Sequence, residues 1–118
     1  MLELKGCDQH LLNNLNFVRE TLVQIAHEVG VTIIGEAFHK FDPQGVTGIL
    51  AIAESHISIH TWPEYGYAAV DVFACGDPDQ AYKASELLIQ RFGAQDHSQT
   101  ELRRGPLSQP TPVAGAQR

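Results

Sequence analysis

Four strand-like runs follow one another between residues 31 and 74, and each flank of that block carries a single amphipathic helix. The runs are Val31-Thr32-Ile33-Ile34 continuing through Gly35 to Phe38, then Val46 to Ala53, Ile57 to His60, and Ala68 to Ala74. Ahead of them, Leu11, Leu15, Val18, Leu22, Ile25 and Val29 recur at spacings of 4, 3, 4, 3 and 4, which is one face of a helix. Asp8 as N-cap and Gly30 as C-cap predict that helix over about residues 9–29. Beyond the block, Asp77 caps and Pro78 opens a second helix, which turns Ala81, Ala84, Leu88 and Phe92 inward and stops at Gly93. Leu2 to Lys5 alternates like a short strand, Asp42-Pro43-Gln44-Gly45 is a turn by composition, and residues 98–104 offer a last polar edge strand. The order β-α-β-β-β-β-α-β predicts an α+β fold, a two-layer α/β sandwich whose mainly antiparallel sheet carries two helices on one face. The other face is left bare. A sheet face so apolar predicts a homodimer that buries it, in a four-layer αββα arrangement.

The 118 residues make one domain, read here as residues 1–104, and the Pro-, Gln- and Ser-rich residues 105–118 are expected to form a disordered tail. A net charge of -6 argues against a nucleic-acid backbone or an anionic membrane surface as partner. No apolar run approaches the roughly 20 residues of a membrane span, and Met1 to Lys5 lacks a signal-peptide pattern. Cys7 and Cys75 lie far apart and without metal-ligand spacing, so both are expected as free thiols in a cytoplasmic protein.

One segment does not fit a core strand. Ala53 to Tyr67 packs two histidines, two serines, two glutamates and three large aromatic residues between two buried-strand patterns. Each buried polar group must find a hydrogen-bond partner or cost stability, so the segment is either a surface edge or the lining of a site. His56, Ser58 and His60 share parity and therefore one face, while Ile57 and Ile59 point the other way. Ser55 has the opposite parity from His60. For the two to cooperate the chain must turn or bulge near Ser55, unless cutting the chain there frees it.

The His-x-x-x-His spacing suits a metal on a helix, but on a strand the two rings stand roughly 13 Å apart, so no metal site is expected. No Gly-x-Ser-x-Gly elbow surrounds Ser55, and no phosphate-loop lysine follows Gly45-Val46-Thr47-Gly48. Cys75 closes a strand, where a buried inert thiol and a reactive one are both open readings. Trp62-Pro63-Glu64-Tyr65 fits an aromatic ligand wall or a structural corner, and Phe38-His39-Lys40-Phe41 fits a loop anchor or a stacking site.

The run from Glu54 to Asp77, with Ser55-His56-Ile57-Ser58-Ile59-His60-Thr61-Trp62-Pro63-Glu64 at its head, resembles the signature block of the short prokaryotic S-adenosylmethionine decarboxylases. Phe38 to Gly48, Gly6-Cys7-Asp8 and the long first helix resemble the segments that precede it in that family, so the likeness covers about residues 3–92. It implies a proenzyme that cuts itself at Glu54-Ser55 into a β chain, residues 1–54, and an α chain, residues 55–118. Ser55 Oγ attacks the Glu54 carbonyl, His60 accepts the Ser55 Cα proton so that the ester is eliminated, and Thr47 assists. Ser55 is left as a covalently bound pyruvoyl group, which forms a Schiff base with the substrate.

The same resemblance makes Cys75 the proton donor in catalysis and places Phe41, Ile57, Trp62 and Glu64 against the substrate. It implies S-adenosyl-L-methionine as substrate, a product that donates an aminopropyl group to spermidine, a homodimer of αβ protomers, and no metal. Two alternatives stand beside it: the same pyruvoyl chemistry on L-ornithine or L-arginine, and a non-catalytic ligand-binding homologue.

Overall fold

The computed structural model describes residues 1–53, 55–73 and 78–101. The elements run β1 Leu2–Lys5, α1 Gln9–Leu12, α2 Leu15–Val29, β2 Ile33–Lys40, β3 Val46–Ile52, β4 Ser55–Trp62, a single 3-10 turn Pro63–Tyr65, β5 Tyr67–Phe73, α3 Pro78–Arg91 and β6 Asp96–Gln99. Every strand pairing is antiparallel, in the spatial order β2-β3-β4-β5-β1-β6. Pro78 opens α3 as expected, whereas its expected cap Asp77, the sites at Glu54 and Cys75, and the tail 105–118 lie outside the described residues. Among the described residues no helix is long and apolar enough to cross a membrane.

The expected first helix is two helices. Asp8 does cap its start, with Oδ1 accepting from the amides of His10 at 2.8 Å and Leu11 at 3.4 Å. The chain then breaks at Asn13-Asn14, where Asn14 Oδ1 accepts the Phe17 amide at 3.1 Å and begins α2 anew. A short amide side chain that bonds its own backbone competes with the helical ladder, which apolar periodicity does not register. Asn13 uses the break: its Oδ1 accepts the Gly45 amide at 2.9 Å and so ties the β2–β3 loop to the helix junction. Gly30 ends α2 in the left-handed region at φ 85°, as its position predicts.

The core lies between the sheet and the helices, with Leu2, Leu4, Leu50, Ile57, Ile59 and Val70 meeting Val18, Leu22, Ile25, Leu88 and Phe92. Phe38 lies over Gly48 of the neighbouring strand so closely that a Cβ there would stand 2.2 Å from its ring. The last strand also departs from expectation. β6 begins earlier, at Asp96, and runs to Gln99, because it pairs residue for residue with β1, from Lys5 opposite Asp96 to Leu2 opposite Gln99; residues 102–104 of the expected strand lie outside the described residues.

Thr61 joins three segments. Buried at 6 % exposure, its hydroxyl accepts the Val46 amide at 2.8 Å and donates to the Leu12 carbonyl at 2.9 Å. Thr61→Val keeps the shape and strands both backbone groups, so it should lower stability by about 1–3 kcal/mol in urea unfolding. An unchanged midpoint would show that the hydroxyl contributes nothing.

Candidate functional site

Alternation along β4 divides its side chains between two layers. Ile57, Ile59 and Thr61 are buried toward the helices, and His56, Ser58, His60 and Trp62 stand on the uncovered face. Cross-strand register extends this face in rows: His39, Thr47, His60, Ala69, Glu3 and Ser98 form one, and Ala37, Ile49, Ser58 and Asp71 the next. The face is therefore not the uniformly apolar surface expected. It is histidine- and hydroxyl-bearing, with Ile49 at its centre and small alanines around it. A cavity of about 360 Å³ opens there, and His39, Thr47, Ile49, Ser58 and His60 are among the residues lining it.

One end of the face gathers most of the predicted substrate wall. Thr47 Oγ1 and His60 Nδ1 are 3.0 Å apart, directly opposite one another on β3 and β4. The His60 ring tilts toward Trp62 at 6.3 Å, and Trp62 rests on Tyr67 at 5.3 Å. Tyr67 is held in turn by its hydroxyl, which donates to Glu3 at 2.7 Å, while Ser98 donates to the other oxygen at 2.8 Å. Those two bonds hold the Glu3 carboxyl below its ordinary range, and the Glu3 bond pushes the Tyr67 hydroxyl up. Phe41 follows β2, turned back by its amide bond to Gly45 and edge-on to His39 at 4.6 Å. Glu64 sits exposed in the 3-10 turn directly after Trp62, and Phe41 and Trp62 remain 47 % and 40 % exposed. Ile57 does not join this wall: at 2 % exposure its side chain belongs to the core on the opposite face, so only its backbone is left to meet a ligand.

The other end of β4 carries Ser55. Its Oγ lies 3.4 Å from Nδ1 of the adjacent His56, although the two residues have opposite parity. His56 Nε2 is 3.8 Å from Asp71 Oδ2 of β5. Ser55 is partly exposed, so it has both a polar partner for its hydroxyl and an approach from solvent. Sequence reasoning missed the His56–Asp71 link. Its only local trace is the matching outward parity of the two residues, and the β4–β5 register is needed to bring them together.

Ser55 and His60 are not brought together within the chain. The β3–β4 register runs without a shift from Ile52 opposite Ser55 to Thr47 opposite His60, so β4 has no bulge between Ser55 and His60 that would bring them together. Five residues of straight strand separate them by roughly 16 Å. The irregularity in this part of the sheet falls in β2 instead, between Ile33 and Gly35. Glu54 precedes Ser55 by one peptide bond, and Cys75 follows Phe73, the residue opposite His56, by two positions.

Comparison with known proteins gives a consistent match. Residues 1–105 match the family model described as S-adenosylmethionine decarboxylase. An S-adenosylmethionine decarboxylase proenzyme of Acetivibrio thermocellus is 47% identical over 114 residues, covering 97% of this chain and 92% of the relative. The proenzyme of that name from Prochlorococcus marinus is 50% identical over 104 residues, covering 88% and 83%. The crystal structure of the adenosylmethionine decarboxylase from Aquifex aeolicus superposes with a TM-score of 0.79 at 38% identity, over 82% of this chain and 80% of that one.

Proposed function

The chain belongs to the S-adenosylmethionine decarboxylase family, and on that premise we propose that it is a proenzyme that cuts itself between Glu54 and Ser55 and then decarboxylates S-adenosyl-L-methionine. The observation that carries the reading is a pair of hydroxyl–imidazole contacts along β4: the Ser55 hydroxyl against His56, and His60 held by Thr47. Self-cleavage divides the chain into a β chain, 1–54, and an α chain, 55–118, within one domain over 1–104. The names carried by the relatives favour the nucleoside substrate over ornithine or arginine. The product is then an aminopropyl donor of the kind spermidine synthesis consumes, and the enzyme works in the cytoplasm.

The pyruvoyl group formed from Ser55 supplies a ketone that holds the substrate amine and accepts the electron pair left when carbon dioxide departs. The chain's own residues do the rest. His60, oriented by Thr47, takes the Ser55 Cα proton during processing. Phe41 and Trp62 offer exposed rings to the adenine and methionine parts of the substrate, Glu64 offers a carboxylate to its ribose hydroxyls, and Ile57 contributes backbone. Cys75 returns a proton to the substrate Cα after decarboxylation.

These groups need a second copy of the chain. Ser55 stands at one end of a straight β4, while His60, Thr47, Phe41, Trp62 and Glu64 stand at the other, too far away to act on it. Two uncovered faces stack about 10 Å apart when sheets pack together. A two-fold axis lying between the faces and running across the strands sets the Ser55 end of each over the Thr47–His60 end of its partner. The homodimer is then an αββα sandwich with two composite sites.

Intact-mass analysis of the purified protein tests the reading. Two fragments divided at Glu54-Ser55, the second with a blocked N-terminus, are expected, together with carbon dioxide release from S-adenosyl-L-methionine but not from ornithine or arginine. A single uncut chain after long incubation would sink it.

A further inference from the structure

Within one chain, straight β4 keeps His60, the base proposed for the elimination, roughly 16 Å from Ser55 along the strand, and the first step of self-cleavage has no base assigned. The imidazole at the Ser55 hydroxyl is a different one. His56 Nδ1 lies 3.4 Å from Ser55 Oγ, and its Nε2 faces Asp71 Oδ2 at 3.8 Å. We infer that His56, held by Asp71, activates Ser55 for the transfer of the Glu54 acyl group from nitrogen to oxygen, while His60 serves only the later elimination. This rests on the self-cleavage proposed above and divides it between two histidines.

The geometry gives each group its part. The carboxylate beside Nε2 favours the tautomer with its proton on Nε2, which leaves the Nδ1 lone pair turned toward the serine. His56 Nδ1 takes the Oγ proton as Oγ adds to the Glu54 carbonyl carbon. As the intermediate collapses, the carbon–nitrogen bond breaks and the same proton passes to the Ser55 nitrogen, now a free amine. The outcome is an ester between Glu54 and Ser55, with no proton gained or lost and no second reactant needed. Asp71 acts through His56, as a positioning residue. The contact depends on Ser55 being the first residue of β4, because deeper in a strand adjacent side chains point to opposite faces.

Hydroxylamine separates the two histidines, because it cuts an ester at neutral pH and leaves the amide intact. Full-length wild type, His56→Ala, His56→Asn, Asp71→Asn and His60→Ala are synthesised in a cell-free reaction and followed by gel and intact mass. Wild type should divide at Glu54-Ser55. Both His56 variants should divide at least about a hundredfold more slowly, the scale of a lost general base. Asp71→Asn should slow the reaction to a smaller degree. Stalled His60→Ala should be cut by hydroxylamine, and the stalled His56 variants should resist it. Free imidazole should restore cleavage of His56→Ala, which a merely structural role for the ring would not allow. Wild-type cleavage rates in both His56 variants, or a hydroxylamine-sensitive ester accumulating in them, would overturn the inference while leaving the self-cleavage reading intact. His56→Asn keeps a polar group on an uncovered face, so a folding defect confined to His56→Ala leaves the test standing. An uncut wild type would instead remove the reading on which the inference rests.

Discussion

Co-expressed with Ser55→Ala, a His60→Ala chain should regain the cut at Glu54-Ser55 that it does not complete alone. The expectation follows from the strand. β4 pairs with β3 in unbroken register from Ser55 to His60, and nothing in that pairing lets the two side chains meet. In the stacked homodimer proposed above, the His60 that serves one Ser55 belongs to the partner. A Ser55→Ala chain lacks the bond-forming hydroxyl but still presents the Thr47–His60 pair, so it can process a His60→Ala partner that kept its serine. Alone, His60→Ala should complete processing about 10² to 10⁴ times more slowly, the usual range for removal of a positioned base. With equal expression and random pairing, about half of the His60→Ala chains should be cut, and none of the Ser55→Ala chains. Tags of different mass on the two chains let intact-mass analysis read this directly. Mixed dimers in which both chains stay whole would show that Ser55 and His60 act within one chain, and the composite site would have to be abandoned.

Cys75→Ala should separate processing from catalysis. The proposed mechanism gives residue 75 no part in the acyl transfer or the elimination, so this variant should divide into its two chains like wild type. Its defect should appear at the substrate: with the acid removed, carbon dioxide release should fall by about a hundredfold or more. Protons that do arrive at the wrong carbon hand the substrate nitrogen to the α chain and leave alanine at its N-terminus. The variant should therefore lose activity progressively during turnover, with the α-chain mass shifting in step. Rapid, sustained turnover would remove Cys75 from the mechanism. Because the uncut chain and the inactivated chain differ in mass, this outcome cannot be confused with a processing failure.

Periodicity, parity and capping are local properties of a chain, and the features that depend on them were readable from residue order. Spacings of 3 and 4 from Leu15 to Val29 specified the α2 face that meets the sheet, and Asp8, Gly30 and Pro78 mark helix ends where their side chains and backbone freedom require them. Alternation alone sent Ile57 and Ile59 inward and His56, Ser58 and His60 outward, so the face bearing the site was legible before any strand was paired. The apolar stripe ran straight through Asn13-Asn14, however, and the break there came from side-chain oxygens bonding to backbone amides, one of them on a loop more than 30 residues away. What lies beside what across strands is a different kind of fact. It depends on register, which is set by the packing of whole faces and by partners distant in the chain. Strand pairing is what brings Thr47 to His60 and Asp71 up behind His56, and what keeps β4 straight with Ser55 apart from His60. A straight strand flanked on both sides holds its ends apart, so residues five apart in sequence belong to opposite ends of the face.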